Sequence, residues 1–330
     1  MTVLVAGGAG YIGSHVVKLL VQNQIRVVVL DDLSNGFRQS LGSTPIVVGD
    51  ISDSELVKKI CRAYDVEEAI HFAALKSVGQ SMEEPHRYYR VNVGGTVNFV
   101  EALHESGVRR IVFSSSASVY GTPSSIPVNE EARIQPESVY AATKAVIEEY
   151  LKFCAGVGLN SVSLRYFNAA GASSDCTIGE DWSTTHNLIP RIMKSLLKGE
   201  EPLQVYGTDY ATVDGTCVRD YVHVEDLAKA HLLALIFLRD FRGSVSLNVG
   251  TGSGHSVLEV INAVEQVSGR TVPRVNSSRR LGDPEAVYAD SSLAQKVLNW
   301  TPNLGLSEIV KSSYDWYLAN PNGYEKSSTS

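Results

Sequence analysis

The segment Gly7-Gly8-Ala9-Gly10-Tyr11-Ile12-Gly13 constrains this chain most, because it sets Gly7, Gly10 and Gly13 three apart directly after the β-branched run Thr2–Ala6. Helical spacing begins at once, with Ile12, Val16, Leu19 and Leu20 on one face of Tyr11–Gln22. A strand, a glycine turn and a helix in that order open a βαβ unit. Glycines there permit a tight turn and let the backbone approach a pyrophosphate, whose charge meets the first N–H groups of the helix. A plain strand-to-helix turn leaves a similar trace, so the surroundings decide. The next apolar run, Arg26–Leu30, ends at Asp31 and Asp32. An acid about twenty residues past the glycines can bond the adenosine ribose hydroxyls and would repel a 2′-phosphate, which favours NAD over NADP. Asp31 is the first choice and Asp32 the alternative. Asp50, after the run Ile46–Val48, either reaches an adenine amino group or caps a helix.

The alternation continues. Ser52 or Asp53 can cap a helix over Ser54–Ala63, and Ala69–Ala73 reads as a fourth strand. A long helix is expected over Tyr88–Glu105, a strand at Arg110–Ser115, a helix at Tyr140–Phe153 and a strand at Ser161–Tyr166. This is the pattern of an α/β protein, a Rossmann-type doubly wound parallel sheet. Past Ala170 the rhythm loosens. Ala172–Asn187 and Thr208–Thr216 are polar and irregular, and short elements return at Leu247–Val249, Ser256–Ser268, Val272–Val275, Ser291–Leu298 and Ser307–Ala319. The expected division is an NAD-binding domain over 1–170 and a smaller α/β substrate domain over 171–330, with some segments returning to the first. Asn322–Ser330 reads as a polar tail.

Hydrophobic residues at 44% and charged residues at 20% support a buried core, and a net charge of −7 argues against a nucleic-acid surface. Cys61, Cys154, Cys176 and Cys217 form no CxxC pair, so neither a zinc site nor a disulfide framework is expected. No secretory leader and no membrane-spanning run are read, and the expected location is the cytoplasm.

Tyr140-Ala-Ala-Thr-Lys144 places a phenol and an ammonium at i and i+4, on one helix face. A free tyrosine, with a pKa of about 10, is a poor base at neutral pH. A nearby ammonium favours the phenolate, which can then take a proton from a hydroxyl as hydride leaves the carbon. The pair alone arises often by chance. Ser114-Ser115-Ser116-Ala117-Ser118 changes that, because it ends a strand where an open α/β sheet faces its ligand crevice. Ser116 is the candidate to share the substrate proton with Tyr140; the neighbouring serines can equally serve the backbone.

Together these residues resemble the extended short-chain dehydrogenase/reductase family, and within it the epimerases that invert C4 of UDP-sugars. The resemblance spans nearly the whole chain. It is carried by GGAGYIGSH (7–15), HFAALKSVGQS (71–81), FSSSASVYG (113–121), YAATK (140–144), LRYFNAAGA (164–172), NLIP (187–190), DGTCVRDYVHVEDLA (214–228) and RRLGDPEAVYAD (279–290). It implies an NAD that is retained through each cycle, a UDP-sugar substrate and a homodimer formed through helices such as Tyr88–Glu105 and Tyr140–Phe153. It implies cofactor contacts at Gly7, Gly10, Tyr11, Ile12, Gly13, Asp31, Asn35, Asp50, Ile51, Phe72, Ala73, Ala74, Lys76, Asn92 and Ser114, with Tyr166 beside the nicotinamide. Catalysis would fall to Ser116, Tyr140 and Lys144. Lys76 would also touch substrate, with Asn168, Asn187 and Leu188 toward the diphosphate. Gln204 and Tyr206 would bracket the uracil, and Arg219, Arg280 and Asp283 would hold the pyrophosphate and uridine ribose. Guanidinium groups suit phosphate oxygens, although Arg219 beside Asp220 could also be a plain ion pair.

Three positions depart from the family pattern. Ala6 stands where threonine is frequent. Val139 stands where many relatives have proline, which leaves the helix start less fixed. Val287 stands where some epimerases carry a tyrosine that walls the sugar pocket, and smaller residues there go with N-acetylhexosamine substrates. A nucleotide-sugar dehydratase or decarboxylase is a rival reading, but such elimination needs an acid near the serine. Ala117 and Ser118 supply none. An NAD-binding regulator is the second rival; such proteins usually lose the Tyr–Lys pair. Hexose, N-acetylhexosamine and pentose remain open as the sugar.

Overall fold

A computed structural model describes residues 1–183, 187–199, 201–280 and 283–324. Its first six strands are β1 (Thr2–Ala6), β2 (Arg26–Asp31), β3 (Ile46–Val48), β4 (Val66–His71), β5 (Arg110–Ser116) and β6 (Asn160–Tyr166). All run parallel, in the order β3-β2-β1-β4-β5-β6. Between them lie α1 (Tyr11–Gln22), α2 (Ser54–Tyr64), the short α3 (Val78–Glu83) and α4 (Pro85–Tyr88), α5 (Gly95–Glu105) and α6 (Val139–Cys154). The chain builds outward from β1 to β3, then restarts at β4 on the other side of β1. That reversal opens a crevice at the carboxyl ends of β1 and β4.

The strands bury both faces. Val3, Val5, Val29, Val112 and Val162 pack on one side, and Leu4, Ala6, Val28, Leu30, Ile111 and Phe113 on the other. After β6 come β7 (Asn168–Ala170), α7 (Leu188–Met193), β8 (Leu203–Tyr206), β9 (Val218–His223) and α8 (Val224–Leu238). Then β10 (Ser244–Val249) returns to the large sheet beside β6 as its seventh strand. The remaining elements are β11 (Gly254–Ser256), α9 (Val257–Ser268), β12 (Arg274–Ser277), β13 (Ala286–Val287), α10 (Ser292–Leu298) and α11 (Leu306–Ala319). β9 sits between β11 and β13 and also pairs with β7, while β8 pairs with β12. A separate core forms there around Trp182, Ile192, Val260, Ile309, Trp316 and Tyr317.

The structure decides some expectations and corrects others. The fourth strand starts at Val66 and stops at His71, because the N–H groups of Phe72 and Ala73 both turn to the Ala6 carbonyl, at 2.7 and 3.2 Å. Asp53 caps α2, accepting the Leu56 N–H at 2.9 Å, while Asp50 accepts the Ser52 N–H at 2.7 Å. The segment Tyr88–Glu105 is helical but not uniform: Tyr89–Gly94 is a π turn that places Asn92 inward. The start of α6 is fixed despite Val139, since Ser138 accepts the Ala141 N–H at 3.2 Å and Ser81 accepts that of Tyr140 at 3.1 Å. Helix α8 has no counterpart among the elements expected from the sequence. It is apolar on most faces and packs against α1 and against β5 and β6, so it lacks the polar stripe that marks a surface helix. The irregular stretch after Ala172 is packed rather than splayed into solvent, with Ser173, Ile178, Glu180, Asp181 and Trp182 all buried. Residues 184–186 of that stretch, and 325–330 of the polar tail, lie outside the described residues.

Candidate active site

A cavity of about 380 Å³ opens at the carboxyl edge of the sheet. Its floor is the glycine turn. A Cβ on Gly7 would lie 2.5 Å from the Ala73 nitrogen, and one on Gly13 would lie 2.4 Å from the Gly7 carbonyl oxygen. Only glycines allow these backbones to touch. Gly10 begins α1 without any side-chain cap, which leaves the helix N-terminus facing the cavity for an anion. Asp31, at the end of β2, is buried. Its two oxygens accept the Ala9 N–H and the Leu33 N–H, both at 2.9 Å, and burial pushes its carboxyl above the usual range. The acid therefore holds the turn in shape and still presents lone pairs to the cavity.

The opposite wall carries the hydroxyls. Ser114 and Ser116 come from the end of β5, Tyr140 and Lys144 from the first turns of α6, and Tyr166 from the end of β6. The Ser116 Oγ accepts from the Ser118 hydroxyl at 2.9 Å and from the Ser118 N–H at 3.2 Å. Its own proton is left to face the cavity, where the Ser116 hydroxyl pulls the Tyr140 pKa down. Lys144 donates to the Ser114 carbonyl at 2.6 Å, and its Nζ lies 5.8 Å from the Tyr140 ring centre. Ser114 also bonds the Tyr166 hydroxyl.

The sequence expectation that the ammonium lowers the phenol's pKa does not hold in this chain by itself. Burial dominates and pushes Tyr140 up to about 12, against the pull of Ser116. Burial also pushes Lys144 down to about 7, opposed by Glu148 one helical turn on. Glu148 is in turn held by the Arg165 guanidinium at 2.9 Å and by Ser115 and Ser246. A buried pair of this kind anchors α6 against the sheet one turn beyond the Tyr–Lys pair.

The structure brings nearly all of the expected cofactor residues to this one cavity: the glycine turn with Tyr11 and Ile12, Asp31, Asn35, Asp50, Ile51, Phe72, Ala73, Ala74, Lys76, Ser114, Tyr140, Lys144 and Tyr166. Asn92 is placed differently. It is completely buried and does not line the cavity; it accepts the Leu75 N–H at 2.8 Å and donates to the Leu75 carbonyl and Thr143. Asn168, Asn187 and Leu188 join the cavity from the far side. The other expected substrate residues form a neighbouring group on β8, β9, β13 and the segment between β12 and β13 that carries Arg280 and Asp283. Tyr206 donates to Gln204 at 2.6 Å and lies under the Arg280 guanidinium at 3.8 Å. Arg219 pairs with Asp283 at 3.2 Å rather than with Asp220, which is buried and accepts the Thr251, Gly252 and Ala289 N–H groups. Val287 pairs in register with Arg219 and belongs to the apolar cluster of Ala117, Val119, Tyr120 and Val128, and it is not among the residues that line the cavity. Arg219 shares its strand face with Tyr221, which lines the cavity, so the two groups adjoin.

The family described as "NAD dependent epimerase/dehydratase family" matches residues 3–250. The chain belongs to that family. A UDP-glucose 4-epimerase of Halalkalibacterium halodurans is 43% identical over 326 residues, covering 98% of each chain. A UDP-glucose 4-epimerase structure from Stenotrophomonas maltophila, with bound NAD and formylated UDP-arabinopyranose, is 42% identical. It aligns with a TM-score of 0.94 over 97% of this chain and 99% of that one. A Bifidobacterium longum UDP-glucose 4-epimerase in complex with NAD+ and UDP aligns at 0.93 with 37% identity, over 98% and 100%. NAD is thus the cofactor of this family member, and the glycine turn, uncapped helix and acid at Asp31 fit it.

Several cavity-lining residues are absent from the sequence expectations, Tyr221 and Glu180 among them. Glu180 is a buried acid on the cavity wall that accepts from the Asn187 amide at 2.8 Å and lies 3.9 Å from the Lys76 ammonium. Nothing in the polar stretch around it marks it, because its placement depends on how that stretch packs. Ser118, grouped by sequence with the backbone-serving serines, contacts Ser116 through the 3₁₀ turn that follows β5, which is a tertiary detail.

Chemistry that needs a Tyr140 phenolate beside a Lys144 ammonium has a definite pH dependence. That form and the phenol–amine form hold the same number of protons, so their ratio is constant between the two pKa values, about 7 and about 12. Below about 7 the pair takes up a second proton and the reactive form is depleted. The value of kcat/KM is expected to be flat above about pH 7.5 and to fall roughly tenfold per unit below about 6.5. A steady rise through about pH 9 in a pH–rate series would contradict this.

Proposed function

We propose that this chain interconverts UDP-glucose and UDP-galactose, inverting C4 through a 4-keto sugar while NAD stays bound. The observation that carries the reading is one cavity in which the glycine turn and Asp31 lie on one side and Ser116, Tyr140 and Lys144 on the other, continuous with Asn168, Asn187 and Leu188. The activity named for the full-length relatives supports the choice of sugar.

NAD, held by the glycine turn and Asp31, would supply the hydride acceptor and donor for C4. Tyr140 accepts the C4 hydroxyl proton and later gives a proton back. Ser116, with its acceptor sites filled by Ser118, orients that hydroxyl toward the phenol oxygen. Lys144 holds the end of β5 through the Ser114 carbonyl and supplies positive charge next to the phenolate. Arg219, Arg280 and Asp283 anchor the diphosphate and uridine ribose, and Gln204 with Tyr206 brackets the uracil. A firm grip on the UDP and a loose one on the hexose let the keto sugar turn over between the two half-reactions. In this assignment residues 1–170 chiefly hold NAD and 171–330 chiefly hold the UDP-sugar.

Protein purified without added cofactor is expected to convert UDP-galactose to UDP-glucose up to a fixed ratio, followed through the anomeric protons by NMR. Tyr140→Phe is expected to lower turnover by about 10²- to 10⁴-fold with NAD still bound. A 4-keto-6-deoxy product would move the chain to dehydration.

Val287 motivates a wider substrate range. Its small side chain is buried in the apolar cluster that also holds Ala117, the residue after Ser116. UDP-N-acetylgalactosamine is expected to be epimerised above background, and Val287→Tyr to abolish that while sparing UDP-galactose. Equal failure of the wild type with the acetamido sugar would rule the idea out.

The homodimer is proposed through α6 and its neighbours. Val146, Tyr150 and Phe153 recur at i, i+4 and i+7, and Phe153 is 73% exposed, with Tyr89 and Val157 also exposed. Light scattering on the eluting protein is expected to give twice the chain mass, and Phe153→Glu to halve it; a wild-type monomer refutes the pairing. The four free thiols suit the reducing cytoplasm, where soluble-fraction recovery would be expected.

A further inference from the structure

After α11 the chain turns back across the outside of the cavity. Asn320 donates to the Trp316 carbonyl at 3.1 Å and the Cys176 carbonyl at 3.4 Å. Gly323 follows at φ +67°, and a Cβ there would lie 2.1 Å from an Asp181 carboxylate oxygen. The turn therefore requires glycine on two counts. It delivers Tyr324 between two loops that are far apart in sequence.

On one side Tyr324 holds the segment 179–181. Its N–H donates to Asp181 at 2.8 Å; its phenol accepts the Gly179 N–H at 3.1 Å and donates to the Gly179 carbonyl at 3.2 Å. A Cβ on Gly179 would lie 2.4 Å from the Trp316 ring, so this loop too is built for close approach. On the other side the Tyr324 ring stacks on Phe37, with centres 4.8 Å apart and planes at 23°. Phe37 belongs to the loop that follows β2 and donates its N–H to the Ala9 carbonyl at 2.9 Å. Ala9 is the residue that Asp31 holds within the glycine turn.

Both loops reach the main cavity with their inner faces. Gly10, Tyr11, Asn35, Lys76 and Glu180 line it and also line the small cleft directly beneath Tyr324. Glu180 lies between the two residues that Tyr324 grips, and it faces inward to Asn187 and Lys76.

We propose that Tyr324 is a positioning residue for the reaction: it clamps the 33–41 loop over the cofactor so that NAD stays bound between turnovers, and it seats Glu180 between Lys76 and Asn187 on the substrate side. The proposal rests on the cofactor reading of the cavity. It goes beyond that reading by assigning cofactor retention to a residue that touches neither ligand.

The test uses purified holoenzyme and isotopically labelled NAD, with exchange of bound for labelled cofactor followed by mass spectrometry. Tyr324→Ala removes the stack and the phenol contacts and is expected to exchange NAD about tenfold faster. The KM for UDP-galactose should rise, with kcat at saturating NAD within about twofold of wild type. Tyr324→Phe keeps the stack and is expected to restore slow exchange but not the low KM. Phe37→Ala acts on the other loop alone and is expected to speed exchange without raising KM. It decides the retention half of the proposal if Tyr324→Ala does not fold, and Tyr324→Phe decides the substrate half. A folded Tyr324→Ala holoenzyme that exchanges NAD at the wild-type rate, whatever its melting temperature, overturns the proposal. Wild-type protein that holds no NAD would instead overturn the cofactor reading beneath it, so the two failures are told apart.

Discussion

The site depends on one contact between two backbones. Gly7, at the end of β1, lies against Phe72 and Ala73, where the chain leaves β4, closer than any Cβ would permit. That contact forms at the point where the strand order reverses, and it draws the N–H groups of Phe72 and Ala73 onto the Ala6 carbonyl. The glycine turn, the uncapped start of α1 and the Phe72–Lys76 segment are thereby held in one fixed relation. The crevice left outside them is what the cofactor occupies in this family.

The wall that carries Tyr140 and Lys144 is built on a different principle. Tyr140 and Lys144 are placed by a helix that Glu148, one turn beyond Lys144 on the same face, ties down, and Glu148 is tied to Arg165 on β6 and Ser115 on β5. Burying a carboxylate and a guanidinium is costly unless both are fully bonded, and here they are. The same burial raises the Tyr140 pKa and lowers that of Lys144. Between those two values the phenol–amine form prevails over the phenolate–ammonium form of equal proton count. Ser116 enters with its direction already set by Ser118.

Much of this is legible in the order of the residues. The boundaries of β1, α1 and β3 follow from β-branched runs and helical spacing that local packing does not override. Asp31, Ser116, Tyr140 and Lys144 are legible because each sits at a fixed offset from the end of a predicted strand or on one helix face. Other features depend on partners remote in sequence and leave no local trace. Helix α8 is apolar on most faces because it is covered by α1 and the sheet. The inward Asn92 needs a π turn that no spacing rule announces, and its role is to hold Leu75. Glu180 reads as one more acid in a polar stretch until Tyr324, Asn187 and Lys76 surround it.

The sequence by itself determined the alternation of strands and helices, the glycine turn, the acid that disfavours a 2′-phosphate and the Ser–Tyr–Lys set. These depend on residue type and short-range spacing, which a chain carries even when unfolded. The tertiary structure decided which carboxyl and amide groups turn inward, that Arg219 answers Asp283 rather than its neighbour, and how far burial moves the phenol and the ammonium. Those outcomes depend on desolvation and on contacts between residues far apart along the chain, and neither exists until the chain has packed.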